Sequence, residues 1–312
     1  MKNENITKIV AAIAFILMVF VNYLANALPI GGITTAEASD AYPNLFTPTG
    51  ITFSIWGLIY LLLLGYTIYQ FKTSKNKEQT ASFAKIRKVY ILTSLANICW
   101  IFAWHYQIIW LSVLFMLTLL ISLMSIVSTM SNQKYSLKEN LFVYIPFSIY
   151  LGWITIATIA NITVFLVSIQ WDGFGISENI WTITVLLAGV IVGIIRMLQY
   201  KNIYYGLVLV WGYTGIWIKH TSPDGFANAY PEIITTLVMG LVLYLTAIGY
   251  IGIKKTGPLL KFASRRSFFS SSPTLDSECS FFFPRSPLIS GRDGLLCFPS
   301  WFQQPYQAST SL

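Results

Sequence analysis

The chain has 312 residues, of which 55% are hydrophobic and 16% aromatic, with only 10% charged and a net charge of +8; its mean hydropathy is +0.63. Too little charge is present to cover a water-soluble globule, and the basic excess falls between apolar runs, where it marks membrane topology rather than a nucleic-acid surface. The three cysteines, Cys99, Cys279 and Cys297, have no spacing that defines a disulfide framework or a zinc site.

A bilayer core of ~30 Å takes roughly 20 helical residues at about 1.5 Å each. Eight runs qualify in chain order, at about 7–28, 49–71, 86–104, 108–130, 141–170, 180–199, 202–219 and 232–253. No Asp, Glu, Lys or Arg lies between Val89 and Gln133, so the third and fourth runs form a hairpin turning near His105, Tyr106 and Gln107. The first run, with Ala25-Asn26-Ala27 at its end, also resembles a signal peptide and its cleavage site; its length favours a retained span. Lys2 and Lys8, the cluster from Lys72 to Lys88, Lys134 and Lys138, Arg196 and Lys201, and Lys254 and Lys255 alternate with the acids Glu37, Asp40, Asp172 and Glu178. That alternation predicts both termini on the cytoplasmic side of a plasma membrane. From about Thr256 the Ser, Pro, Phe and Arg residues follow no period, which predicts an irregular tail over 256–312, disordered or foreign to the natural product, with no function placed there.

The span interiors hold no acid and no lysine, and Arg196 is near enough to a helix end to snorkel. Proton-coupled pumping loses weight accordingly. His105 and His220 fall at helix ends and read as interfacial polar residues rather than as metal or haem ligands. Neither a Ser-His-Asp arrangement nor a Gly-rich phosphate loop is present. No catalytic residue, metal, resident cofactor or nucleic-acid partner is therefore predicted. Trp104, Trp110, Trp171, Trp181 and Trp217 lie near outer helix ends, as an aromatic belt does. Trp56, Asn97 and Asn161 lie deeper, ~10–14 Å below those ends at about 1.5 Å per residue, with Tyr60 and Trp153 somewhat lower and Trp100 higher. An unpartnered amide or indole donor in hydrocarbon costs a few kcal/mol, so this layer faces the bundle interior. It serves either as interhelical hydrogen bonding, worth ~0.6 kcal/mol per bond, or as an aromatic-walled pocket for a flat apolar ligand.

The spacing carries a resemblance. Pro48-x7-Trp56-x3-Tyr60 resembles the second helix of the TspO/MBR family, the tryptophan-rich sensory proteins and translocator proteins. Asn97-x2-Trp100, then Gln107-x2-Trp110, resembles that family's third helix and the start of its fourth, and Tyr150-x2-Trp153-x7-Asn161, with Ala157 and Thr158 between, its fifth. The matches occur in family order over residues 1–171. Departures include a single proline in Thr47-Pro48, Ile149 in place of a proline and Phe165 in place of a tryptophan. The eight runs predict an all-α polytopic bundle in which residues 172–255 form a three-helix membrane extension without a counterpart in the family, and the resemblance implies a five-helix TspO-like core over 1–171. It also implies that a porphyrin-like or other tetrapyrrole, or a sterol in some relatives, binds in a cavity capped by the first loop, in a homodimeric sensor or transport component surrounded by lipid. Trp56, Tyr60, Asn97, Trp100, Trp153, Ala157 and Asn161 become its pocket residues by that resemblance.

Two other readings compete. In a permease, the last three spans complete a conduit, helped by close helix approach at Gly189, Gly193, Gly206, Gly212, Gly215, Gly240, Gly249 and Gly252, and the aromatic layer is packing. In an enzyme acting on a bound porphyrin or lipid, a buried acid, base or metal cluster is needed, and the sequence offers none. A sterol-type pattern, Leu64-x-Tyr66-x5-Lys72, carries no weight, because Tyr and Lys are common at helix ends.

Overall fold

In hydrocarbon the backbone must satisfy its own hydrogen bonds, so a long uncharged apolar run folds as a helix. The computed structural model describes residues 2–28, 30–72, 77–131 and 133–269, and every predicted run is helical there. The long helices are α1 (Lys2–Ala27), α3 (Ile55–Tyr69), α4 (Lys77–His105), α5 (Ile109–Ser131), α7 (Ile145–Ser168), α8 (Glu178–Tyr200), α9 (Ile203–Thr221) and α10 (Pro231–Phe269). Two short ones, α2 (Thr35–Asp40) and α6 (Leu137–Glu139), lie in connections, and no strand occurs among the described residues. The protein is an all-α membrane bundle. Residues Met1–Ala263 form one compact unit, and Ser264–Leu312 a second. The described part of the second is helical backbone at the end of α10; residues 270–312, most of the expected tail, lie outside the described residues, and helix extends past its expected start at Thr256.

Among the described residues, seven helices are long and apolar enough to cross a membrane. α9 is the exception. Its tyrosines, glycines, Lys219 and His220 lower its hydropathy, and packing compensates. A Cβ on Gly212 would lie 2.9 Å from Ile156 of α7, one on Gly206 2.3 Å from Met197 of α8, and the Tyr213 hydroxyl donates to Leu186 O at 2.6 Å. A helix enclosed on those sides needs less lipid-grade surface. The other helices show lipid the expected faces, such as Ile9, Ile13, Ile16 and Phe20 on α1 and Ile191, Val192 and Ile195 on α8.

Neighbour packing runs from α1 to α4, α5, α7 and α3, and α3 returns to α1, closing a five-helix ring; α9 packs on α7, and α8 on α9. The α4–α5 turn falls at the expected place, with Gln107 in the left-handed region at φ 58°. The start of α7 carries one distortion. Pro146 has no N–H and would crowd the carbonyl four residues back, and the preceding turn, Asn140–Tyr144, widens so that the Ile145 N–H donates to Asn140 O. At this end of the bundle, Lys8 and Arg87 are buried rather than solvated flanks. They surround Glu4, with Lys8 Nζ at 3.2 Å and Arg87 Nη2 at 3.9 Å from Glu4 Oε1.

The α7–α9 seam tolerates no side chain at Gly152, whose Cβ would lie 2.7 Å from Val208 Cβ and 3.0 Å from Tyr205 O. A backbone oxygen cannot swing aside. Gly152→Val is expected to destabilise the detergent-solubilised protein by about 1–3 kcal/mol, read as a lowered Tm. Gly249→Ala, where nothing lies within 4 Å of the added Cβ, is expected to leave Tm unchanged or slightly raised.

Candidate ligand cavity

Three helices of the ring converge on one aromatic layer. Trp56 of α3 stacks on Tyr60, one turn later, at 5.5 Å between ring centroids and on Trp100 of α4 at 6.1 Å. It meets Tyr150 and Trp153 of α7 edge-on at 5.9 and 6.2 Å. Trp100 stacks in turn on Trp104 at 5.8 Å. The four-residue spacings place Trp56 with Tyr60, and Trp100 with Trp104, on single helical faces.

Hydrogen bonds lock this layer from behind. The Trp100 indole N–H donates to Asn161 Oδ1 at 3.1 Å, and the Asn161 amide donates to the Ser112 hydroxyl at 2.9 Å, joining α4, α7 and α5. The Asn22 amide donates to Asn97 Oδ1 at 2.6 Å, and Asn97 Nδ2 donates to the Tyr150 hydroxyl at 3.4 Å, joining α1, α4 and α7. Two buried donors remain unbonded: Trp153 Nε1 has no partner, and the Tyr60 hydroxyl lies near Asn97 without completing a hydrogen bond.

Space lies on both sides of the Trp56–Trp100 stack. A cavity of about 30 Å³, room for a water molecule or two, is walled by both rings, Trp104, Trp153, Ala157 and Asn161. A larger one, about 310 Å³, is walled by Trp56, Tyr60, Trp100, Phe53, Asn22 and Thr35 and reaches exposed Asn26. Of the seven residues expected from the sequence, Trp56 and Trp100 border both spaces, Tyr60 the larger, and Trp153, Ala157 and Asn161 the smaller. Asn97 borders neither and stands behind the wall. Trp104, Thr35, Phe53 and Asn22 were not anticipated. Asn22 is a lone amide deep in the first apolar run, a signal of the same kind as Asn97; Trp104 had been assigned to the belt but is 4% exposed.

The connection between α1 and α3 covers these spaces, and both histidines hold it. Each is buried, contrary to an interfacial reading. His105 Nδ1–H donates to Ile101 O at 2.9 Å, which leaves Nε2 as acceptor for the Thr35 hydroxyl 3.4 Å away. His220 Nε2–H donates to Leu45 O at 2.9 Å. The Trp104 indole donates to Thr35 O at 3.1 Å, Glu178 accepts from Leu45 N–H at 3.2 Å, and Lys219 lies 3.7 Å from Asp40. Within this cap, α2 starts on a capping box in which Thr34 and Glu37 bond reciprocally. The Thr34 backbone N–H and then its hydroxyl hold the Glu37 carboxyl below the usual range. Its contribution is complete above the ordinary glutamate pKa of about 4.3 and is lost as pH falls through the lower folded-state value.

These helices and this enclosed aromatic layer define an integral membrane protein of the TspO kind. The family model described as "TSPO-like protein" matches residues 8–250, so the chain belongs to the TSPO-like family. The match runs through α8 and α9 and most of the membrane portion of α10. No curated protein and no solved structure matches the chain.

Trp104→Phe keeps an aromatic side chain, with a smaller ring, and removes the indole donor to the cap. A net hydrogen bond is worth about 1 kcal/mol, so amide hydrogen exchange over residues 35–40 is expected to quicken about fivefold. Unchanged exchange there would show that the bond does not hold the cap.

Proposed function

We propose that the protein binds a flat apolar ligand against the Trp56–Trp100 layer, as the ligand-holding part of a sensor or transport system in the plasma membrane. The observation that carries this reading is the pairing of an aromatic wall with empty space and an unpartnered buried donor. Packing alone gives no reason to leave Trp153 Nε1 unbonded, since an orphaned buried donor costs about 1–3 kcal/mol. A ligand carrying a carboxylate or carbonyl at its edge satisfies that group, and its ring plane stacks on Trp100. The larger space, about 310 Å³, lies at the bottom of the ~300–1,000 Å³ range of ligand pockets. A tetrapyrrole therefore requires Trp56 to leave its stack, which merges the two spaces. α3 is suited to that movement, because Trp56 and Tyr60 hold to the layer by ring contacts while α4 and α7 are hydrogen-bonded into it. The ligand reaches the cavity beside α1 and α3, where Asn26 is exposed, and both termini lie in the cytoplasm by the charge distribution.

Protoporphyrin titration against intrinsic tryptophan fluorescence tests the reading. Saturable quenching is expected, weakened at least tenfold by Trp56→Ala and about fivefold by Trp153→Phe, which keeps an aromatic side chain and loses the donor. Quenching that does not saturate, or that both variants leave unchanged, would reject it.

A further inference from the structure

A second cavity of about 460 Å³ lies at the capped end of the bundle, between the end of α7, the 169–177 connection, the start of α8 and the cap. Its chemistry differs from that of the Trp56 site. Trp171 and Trp181 meet there at 5.1 Å and 56°, and the Trp181 indole is anchored by donating to Gly173 O at 2.8 Å. A Cβ on Gly173 would come within 3.0 Å of that ring. Gly173, Phe174 and Gly175 hold successive φ values of 64°, 56° and 73°, so Phe174 sits in a left-handed conformation that is strained for a bulky residue. The connection is bent around the aromatic corner.

Two carboxylates complete the walls. Asp172 Oδ1 accepts from Phe174 N–H at 3.0 Å and Glu178 Oε1 from Leu45 N–H at 3.2 Å; each keeps its other oxygen. No Lys, Arg or His lines the space. Leu166, Val167 and Val185 line the apolar remainder. An anion meets two like charges here. A hard metal ion, which takes six or more oxygens, finds only two carboxylates here, and among the described residues no group of three or more His, Cys, Asp or Glu could hold one. A cation that is weakly hydrated and bonded to carbon gains from both the ring faces and the carboxylates.

We infer that this cavity is a binding site for an organic cation bearing an aliphatic chain, an alkylammonium or quaternary ammonium group, with the charge between Trp171, Trp181, Asp172 and Glu178 and the chain along Leu166 and Val167. The site stands apart from the Trp56 layer and does not depend on what that layer binds.

Titration calorimetry of the full chain in uncharged maltoside micelles tests it with three probes of equal chain length. Hexyltrimethylammonium is expected to bind saturably and at least tenfold more tightly than hexanol, with hexyl sulfate not binding. Asp172→Asn with Glu178→Gln keeps both acceptors for the backbone N–H groups and is expected to weaken the cation at least tenfold; an unchanged Tm of the same variant is the check that the fold is intact. Raised salt is expected to weaken the cation as well, since both carboxylates are exposed. Displacement by dihexanoylphosphatidylcholine assigns the natural occupant to lipid headgroups, and its failure to displace assigns a free cation. Equal binding of hexanol, non-saturable uptake, or unchanged affinity in an intact double variant would overturn the inference.

Discussion

The bundle depends on one constraint: an amide or indole buried among apolar helices is costly until it finds a partner on another helix. Asn161 meets that demand by bonding Trp100 and Ser112, and Asn97 by bonding Asn22 and Tyr150. Together these contacts tie α1, α4, α5 and α7 at a single level. Their modest energies, ~0.6 kcal/mol each in membrane proteins, matter less than their geometry. Once Trp100 is pinned to Asn161, its ring presents a face to α3, and Trp56 stacks there with Tyr60 stacked on Trp56 in turn. Within that layer α3 is joined by aromatic contact, and further along the helix Tyr66 packs on Tyr90 and Phe147.

The cap connects the layer to the rest of the chain. Residues from Thr35 to Thr52 are held from α4 by Trp104 and His105, and from the later helices by Glu178, Lys219, His220 and Trp211, whose indole donates to Thr52 O at 3.0 Å. The Thr49 N–H also donates to Gly215 O, and a Cβ on Gly215 would fall 2.1 Å from Thr52 Oγ1. α8 and α9 therefore bear directly on the lid of the five-helix ring.

Much of the architecture was legible because membrane physics leaves few options. Run length and the absence of charge between Val89 and Gln133 located the helices and the α4–α5 turn. The layer was legible too, since depth along each helix follows from residue count, and Trp56, Trp100, Trp153 and Asn161 do meet. Asn97 shows the limit: depth places a residue at a level, but rotation about the helix decides whether it faces the space or the structure behind it. Trp104 and both histidines were misjudged for a related reason. A helix end looks interfacial in sequence, and a connection folded over it converts that end into interior. α9 shows a further limit, because enclosure by neighbours replaces hydropathy, and enclosure is not written locally. Lys8 and Arg87 look like solvated flanks until Glu4 is brought between them.

Whether the Trp56–Trp100 layer walls a ligand space or simply fills one is decided by photo-crosslinking with a diazirine-bearing flat apolar probe, followed by peptide mapping. A ligand space gives saturable adducts concentrated on residues 53–60 and 100–104, displaced by unlabelled protoporphyrin. Adducts confined to lipid-facing positions such as Ile13, Ile121 and Ile191, indifferent to competitor, would contradict it.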